Sequence, residues 1–294
     1  MELTQVGERT YVIEGPTNLG VYVEGNEAFL IDSGNDESAG RKIWKLLDSR
    51  GWTLKAILNS HSNADHIGGN AFLQKRTGCR IAATRNEAPM IQDPALEPLF
   101  LWGAAPFREL RGKFLQAEPS TVTDILPSGG PVEGMPFSTI PLPGHYLEMV
   151  GFRTPDEVVF LADSLFSETI LAKYGFVVCC DVAGQISTLD RLETLEASLF
   201  VPCHAKPASD IRPLVKENRK ALEKLLDNVL EACASGASRE DVLAKLVLAY
   251  GITLSPVQYV LTGITVSACL AFLADQGKIT PTFESGRMLW HRQP

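Results

Sequence analysis

Histidines and carboxylates cluster in one short run of this chain. The run His61–His66, with the sequence His-Ser-Asn-Ala-Asp-His, holds two of the five histidines, and His145 and His204 follow later turns. Neutral imidazole and carboxylate are the side chains that bind divalent cations such as zinc or ferrous iron. The run therefore predicts a metal site.

The segments on either side of the run predict where it lies. Residues 54–59 form a short apolar stretch that is typical of a buried strand. Gly68 and Gly69 then indicate a turn into a helix over residues 70–76. A strand end that opens into a helix places the side chains of one loop on the same wall of a cleft, where they can share an ion.

Three later segments end in residues of the same chemistry. Residues 141–145 contain two prolines and a glycine before His145, which indicates a tight turn. Residues 158–163 and 199–204 are buried-strand patterns that end in Asp163 and His204. Each residue alone could be a surface histidine or a cap at a strand end. Together they predict one shared metal centre.

The order of these motifs resembles the metallo-β-lactamase-fold hydrolases, with metal motifs similar to those of glyoxalase II. Their signature is His-x-His-x-Asp-His, then a loop histidine, an aspartate and a final histidine. Residues 1–206 carry the resemblance, which includes expected strands at 10–14, 20–24 and 27–32 and a helix at 37–49. It implies an α/β fold, a four-layer αββα sandwich. Asp32 would hold a loop beside the metal or cap that helix.

The resemblance also implies a ligand set. A first metal would be held by His61, Asn63 and His145, a second by Asp65, His66 and His204, and Asp163 would bridge the two. Position 63 departs from the family pattern, because the family has histidine there and an amide oxygen is a weaker zinc ligand than imidazole.

Hydrolysis is the function that this ligand set favours. One or two zinc ions, about 3.5 to 4 Å apart if paired, would activate a hydroxide. Asp65 or Asp163 would orient the hydroxide against an ester-like bond, with thioesters, lactones or other acyl compounds as small-molecule substrates. Iron and manganese also accept these ligands.

Three alternatives remain open. His61, His145 and Asp163 resemble the two-histidine, one-carboxylate site of non-haem iron enzymes, as in the persulfide dioxygenases of the same superfamily. Other members are nucleases or phosphodiesterases. Alternatively, Asn63 marks a chain that has lost efficient catalysis, in which case Asn63→His should raise the metal content.

Composition predicts a cytoplasmic enzyme that does not enter a membrane. The chain has 294 residues, of which 45% are hydrophobic and 21% charged, enough for one large layered domain and a smaller one. We expect no secretory signal and no run that approaches a membrane span. The six cysteines are scattered without a Cys-x-x-Cys pair, which argues against a disulfide framework or a zinc ribbon.

Two further regions are set apart by their composition. Residues 86–128 form an insertion rich in proline and large apolar residues, interpreted as a lid over the cleft or as a packing or homodimer surface. Residues 207–294 predict helices at 212–233, 238–250 and 255–276 and a hairpin turning at 285–286. This pattern resembles a winged-helix module and predicts a second domain.

The charge of the predicted second domain argues against nucleic acid as a partner. Residues 207–294 carry ten Lys and Arg against nine Asp and Glu, a net charge of +1. Because the whole chain has a net charge of −8, residues 1–206 carry −9. A phosphate-binding surface needs a basic face. The candidate recognition segment, residues 265–276, contains no Lys or Arg.

Overall fold

The computed structural model of the chain describes residues 2–294. The strands in these residues are β1 (Glu2–Gln5), β2 (Thr10–Glu14), β3 (Leu19–Glu24), β4 (Glu27–Ile31), β5 (Thr53–Leu58), β6 (Arg80–Thr84), β7 (Asp124–Leu126), β8 (Gly130–Pro131), β9 (Ser138–Pro141), β10 (Val150–Arg153), β11 (Val158–Phe160), β12 (Leu199–Val201), β13 (Ile279–Glu284) and β14 (Arg287–Arg292). The α-helices are α1 (Glu37–Ser49), α2 (Ala64–Ile67), α3 (Asn70–Thr77), α4 (Ala88–Gln92), α5 (Leu96–Trp102), α6 (Glu168–Tyr174), α7 (Val182–Thr194), α8 (Arg212–Ala232), α9 (Arg239–Tyr250) and α10 (Pro256–Asp275).

Two sheets pack face to face between helices. One has seven strands in the order β1 to β7, and the other has five in the order β12-β11-β10-β9-β8. Helices α1 and α3 cover the outer face of the first sheet, and α7 and α8 cover that of the second. The predicted four-layer αββα sandwich is confirmed.

Strand residues alternate between two cores, because successive side chains of a strand point to opposite faces. On β3 and β4, Val21 and Leu30 pack toward α1, while Tyr22 and Phe29 pack between the sheets. All four are buried. This double burial explains why these strands are almost continuously apolar in sequence.

The strand directions bring the ligand-type residues to one edge of the sandwich. β4 and β5 are parallel, so Asp32 and the run that begins at His61 follow strand ends on the same side. β9 and β11 both run antiparallel to β10, and β12 runs parallel to β11. Consequently His145, Asp163 and His204 leave the second sheet at a common edge.

Close backbone packing fixes the turn that follows the histidine run. An added Cβ on Gly69 would lie 2.4 Å from the carbonyl oxygen of Ser33, and one on Gly68 would lie 2.3 Å from the carbonyl carbon of Asn35. No side chain fits at such distances. These glycines therefore let the loop after β4 and the loop after β5 touch.

The insertion predicted at 86–128 ends earlier in the structure than expected. It contains α4, α5 and a 3-10 turn at Arg108–Leu110, but residues 124–126 form β7, the edge strand of the seven-stranded sheet. The insertion is therefore shorter than predicted. A three-residue strand followed by Pro127 is too short to show strand alternation in sequence.

The C-terminal part has the predicted helices and hairpin. α8, α9 and α10 form a separate apolar core that also takes in Phe176, Cys179 and Val182 from before β12. β13 and β14 pair antiparallel and turn at Ser285 and Gly286. The winged-helix resemblance and the division of the chain at residue 206 stay predictions.

The expectation that no run approaches a membrane span is wrong. α10 is long and apolar enough to cross a membrane, because it has 20 residues and one charged side chain, Asp275. Val266, Leu270 and Leu273 of this helix are buried in the C-terminal core. Packing against α8 and α9 therefore accounts for much of its apolar character.

Candidate metal centre

The structure brings all seven predicted site residues together. Two groups of three have their ligand atoms within 4.8 Å of one another: His61 with His145 and Asp163, and Asp65 with His66 and His204. Asn63 joins the first group, because its Oδ1 lies 3.0 Å from Nε2 of His145. Asp163 also contacts the second group, with its Oδ2 3.1 Å from Nε2 of His204.

Each of the four imidazoles is oriented by a hydrogen-bond partner at Nδ1. The Nδ1 atom of each lies within hydrogen-bond distance of an oxygen outside the cluster: Ser60 Oγ for His61 at 3.0 Å, Asp32 Oδ2 for His66 at 2.8 Å, the Val178 carbonyl for His145 at 2.9 Å and the Pro16 carbonyl for His204 at 2.9 Å. An Nδ1–H that donates to such an acceptor leaves the lone pair on Nε2. This is the arrangement by which proteins orient metal-binding histidines.

Asp32 is the anchor of the histidine run. Its carboxylate accepts hydrogen bonds from the backbone N–H of Ser60 at 2.8 Å and from the Ser60 hydroxyl at 2.7 Å, besides that from His66. The loop-holding role predicted for Asp32 is confirmed. The capping role is wrong, because Asp36 caps α1 by accepting from the N–H of Ala39.

Two residues beside the site have left-handed backbone conformations. Asp32 has φ +57° and Ala162, which precedes Asp163, has φ +48°. Such conformations cost about 1 to 3 kcal/mol in residues other than glycine and cluster at functional sites. Packing of the surrounding loops stabilises both.

Several buried polar atoms at the centre have no hydrogen-bond partner. These atoms are Nε2 of His61, Nε2 of His66 and Oδ1 of Asp163. His66 Nε2 lies 3.2 Å from Asp163 Oδ1, but the pair lacks hydrogen-bond geometry. Unpaired buried polar groups are rare in folded proteins and need an explanation. A divalent cation fits, because it would bind nitrogen and oxygen lone pairs together.

The charges of the metal-free cluster balance through proton uptake. Burial lowers the pKa of His66, but the carboxylates of Asp163, Asp65 and Asp32 outweigh burial and raise it well above its usual value. Burial also lowers the pKa of His204, but Asp163 outweighs burial and raises this pKa to about 9. Burial alone would raise the pKa of Asp163, but His204 and His66 hold it well below its usual range. A cation would replace these protons.

Two buried glutamates brace the same loop and were not predicted from the sequence. Glu87 accepts hydrogen bonds from the N–H and hydroxyl of Ser62 and from the N–H of Glu148, and burial raises its pKa to about 7. Glu97, from α5, accepts a hydrogen bond from Nδ2 of Asn63 at 2.8 Å. Burial raises the pKa of Glu97 well above its usual value. No local pattern distinguishes them from surface acids.

The C-terminal part reaches the site through α10. The hydroxyl of Thr265 accepts a hydrogen bond from the N–H of Cys179 at 3.1 Å, beside the Val178 carbonyl that holds His145. Thr262 is a matched control, because it is also buried on α10 but bonds only to carbonyls of its own helix.

Thr265→Val is expected to weaken metal binding about 3- to 10-fold, less than the loss of a direct partner of a metal ligand. It leaves the Cys179 N–H unpaired and loosens the Val178 carbonyl. Thr262→Val should leave metal affinity unchanged. Competition with a chelator measures both variants, and equal affinities would show that α10 does not position His145.

Comparison with known proteins identifies the family. A family model described as the metallo-beta-lactamase superfamily matches residues 12–204, about two thirds of the chain. The chain belongs to the metallo-beta-lactamase superfamily. The resemblance seen in the sequence is thereby confirmed, and membership implies binding of a divalent metal.

Relatives of known sequence and structure agree with this family. The chain is 33% identical over 126 residues to a hydroxyacylglutathione hydrolase of Nitrobacter hamburgensis, a match that covers 42% of this chain and 39% of that protein. A beta-lactamase domain protein from Burkholderia ambifaria has a similar structure, with a TM-score of 0.74 and 18% identity, and the match covers 99% of this chain and 94% of that one. A metallo-beta-lactamase family protein of Thermus thermophilus gives a TM-score of 0.73 with 19% identity, over 97% of this chain and 99% of that one.

These matches differ in what they support. The chain spans about two fifths of the length of the curated relative from Nitrobacter. The two solved structures cover nearly the whole chain, including α8 to β14, and their similarity concerns the fold. Together, the superfamily and the related sequences support a hydrolase.

Proposed function

We propose that the protein is a zinc-dependent hydrolase that cleaves an ester-like bond, with a thioester as the first substrate class. The observation that carries the proposal is that four imidazoles, each held at Nδ1, gather around Asp163. Nε2 of His66, His145 and His204 lies within 3.7 Å of the Asp163 carboxylate, and His61 belongs to the same group as His145 and Asp163. In this proposal one ion is held by His61, Asn63, His145 and Asp163, and a second by Asp65, His66, His204 and Asp163.

The protein groups around the centre have separate tasks in this mechanism. A bound ion would polarise the acyl carbonyl and lower the pKa of a coordinated water to about 7. Asp65 is the most exposed carboxylate of the cluster, and the Thr17 hydroxyl donates to its Oδ2 at 3.2 Å. Asp65 would orient the attacking water and accept its proton. Asp163 is buried and holds the imidazoles of both groups.

Aromatic side chains beside the centre favour an acyl substrate. Phe166 stacks on His204 with ring centroids 5.7 Å apart, and Phe100 of α5 lies edge-on to Tyr146 at 6.2 Å. Phe100 is partly exposed, while Tyr146 is buried next to His145. Such a wall can bind the apolar part of an acyl group and exclude water. It offers no basic face for the phosphates of a nucleic acid.

A specific observation also supports the alternative of a mononuclear iron dioxygenase. His61, His145 and Asp163 alone form a buried set of two histidines and one carboxylate. The second complete set, Asp65, His66 and His204, favours two ions instead. Metal identity and stoichiometry therefore separate the two functions.

The test measures metal and activity on one preparation. Protein purified without added metal should contain about two zinc ions and hydrolyse an S-(2-hydroxyacyl)glutathione with kcat/KM of about 10⁴ M⁻¹s⁻¹ or more. A lactone and a phosphodiester serve as comparison substrates, and chelation followed by zinc should remove and restore activity. A single iron with oxygen consumption on a persulfide would establish the dioxygenase instead. Absence of both metal and turnover would indicate a catalytically degenerate chain.

A further inference from the structure

Glu97 lies in the insertion, yet its carboxylate is directed at the metal centre. It is 3% exposed, and its Oε1 accepts a hydrogen bond from Nδ2 of Asn63 at 2.8 Å. A buried carboxyl group without a hydrogen-bond partner is costly, so a glutamate kept in this position needs a specific partner. Asn63 is that partner.

The hydrogen bond to Glu97 decides which atom of the Asn63 amide faces the centre. Because Nδ2 donates to Glu97, Oδ1 is turned toward His145 and lies 3.0 Å from its Nε2. The Val178 carbonyl accepts from Nδ1 of His145, so the neutral ring carries a lone pair on Nε2. Two acceptor atoms therefore face each other without a hydrogen between them.

A cation would relieve this contact, because it would bind the lone pairs of both atoms. If the amide were reversed, Nδ2 would donate to Nε2 of His145 and occupy the lone pair that a metal needs. The direction of the Asn63 amide thus decides whether His145 is available as a ligand.

We propose that Glu97 is a positioning residue that makes Asn63 a metal ligand, by holding its amide oxygen toward the site shared with His61 and His145. This proposal rests on the proposed metal site and deepens it. The centre retains two metal positions although position 63 lacks an imidazole, because a buried acid from α5 compensates for the weaker ligand. Glu97 supplies no atom to the metal or the substrate.

The experiment measures binding of zinc alone, so that it is independent of any substrate. Glu97→Leu should lower the affinity of one of two zinc sites about 10- to 100-fold, the usual effect of losing a partner of a metal ligand. The other site should keep its affinity. Glu109→Gln is the matched control, because Glu109 is an exposed acid of the same insertion, and this variant should bind zinc like the wild type.

A double variant separates positioning from a general structural role. The double variant Asn63→Asp with Glu97→Gln exchanges the carboxyl and amide groups of the two residues. The carboxylate at position 63 has two equivalent oxygens that need no orientation, and the amide at position 97 can donate to the outer one. This variant should bind two zinc ions, at least tenfold more tightly at the weakened site than Glu97→Leu does. Cobalt(II) can replace zinc as a visible probe. When cobalt is limiting, the absorption bands should show two occupied sites in the double variant and one in Glu97→Leu.

The outcomes are decisive even if Glu97→Leu folds poorly. The double variant changes only oxygen and nitrogen atoms, and its folding can be checked by thermal melting of the metal-free form. If the folded double variant binds one zinc ion only, or if Glu97→Leu keeps both wild-type affinities, Glu97 does not position Asn63. Failure to hydrolyse thioesters would leave these affinities unaffected and would count against the proposed function alone.

Discussion

Asp163→Asn is expected to remove tight metal binding from both groups and to lower kcat/KM on the proposed thioester substrate by about 10³-fold or more. Asp163 is 4% exposed and contacts Nε2 of His66, His145 and His204 at 3.2, 3.7 and 3.1 Å. The amide of asparagine has the shape of the carboxylate but not its charge. Its nitrogen would replace one of the two oxygens that face the imidazoles, and this nitrogen has no lone pair for a metal. In the proposed two-metal centre, both positions would lose their shared carboxylate at once.

Metal content and kinetics of the same preparation test this prediction. Elemental analysis after dialysis should find less than one zinc ion per chain in the Asp163→Asn variant. Asp190→Asn is the control, because Asp190 is an exposed acid on α7 that pairs with Arg219 away from the centre. An Asp163→Asn variant that kept two zinc ions and activity within tenfold of the wild type would refute the bridging role.

The positions of the candidate ligands could be predicted because strand direction decides where they lie. Parallel strands end at the same edge of a sheet, so ligand-type residues that follow strands are brought together whatever their separation in sequence. β4, β5, β11 and β12 obey this rule, and the residues after each of them lie at the centre. Local apolar patterns therefore predicted strands that end in ligand-type residues, and the family resemblance supplied the full set of residues.

The partners of these ligands could not be predicted in the same way. Glu97 lies in a proline-rich apolar segment, and its hydrogen bond to Asn63 spans 34 residues. The Val178 and Pro16 carbonyls that hold His145 and His204 belong to backbone, which every residue has. Such contacts depend on loop conformations that carry no periodic signal. The same holds for β7, which is too short for a strand pattern.

Metal affinity should rise steeply with pH, because the metal must displace protons. In the metal-free protein, Asp163 and the other carboxylates overcome burial and raise the pKa of His204 to about 9 and that of His66 well above its usual value. Below these pKa values both rings carry a proton where a metal would bind. Each displaced proton changes the affinity tenfold per pH unit, so zinc affinity should increase at least about 100-fold between pH 6.5 and 8.5.

The stability of the metal-free protein should change in the opposite direction. A folded-state pKa raised above the unfolded value of about 6.5 stabilises the fold fully below pH 6.5, and this contribution is lost as pH rises through 9. Chelated protein should therefore melt at lower temperature at pH 9 than at pH 6.5, whereas zinc-loaded protein should not show this loss.

Zinc titrations in buffers of different ionisation enthalpy count the released protons directly. We expect about one to two protons released per chain at pH 7 as the group of Asp65, His66 and His204 fills. His291→Gln is the control, because His291 lies on β14, bonded to Thr282 and away from the centre, and its loss should not alter proton release. Zinc binding without proton release would mean that His66 and His204 are neutral before the metal arrives. The carboxylates, and not the protons, would then account for the charge of the empty cluster, and the opposite pH trends of affinity and stability would both disappear.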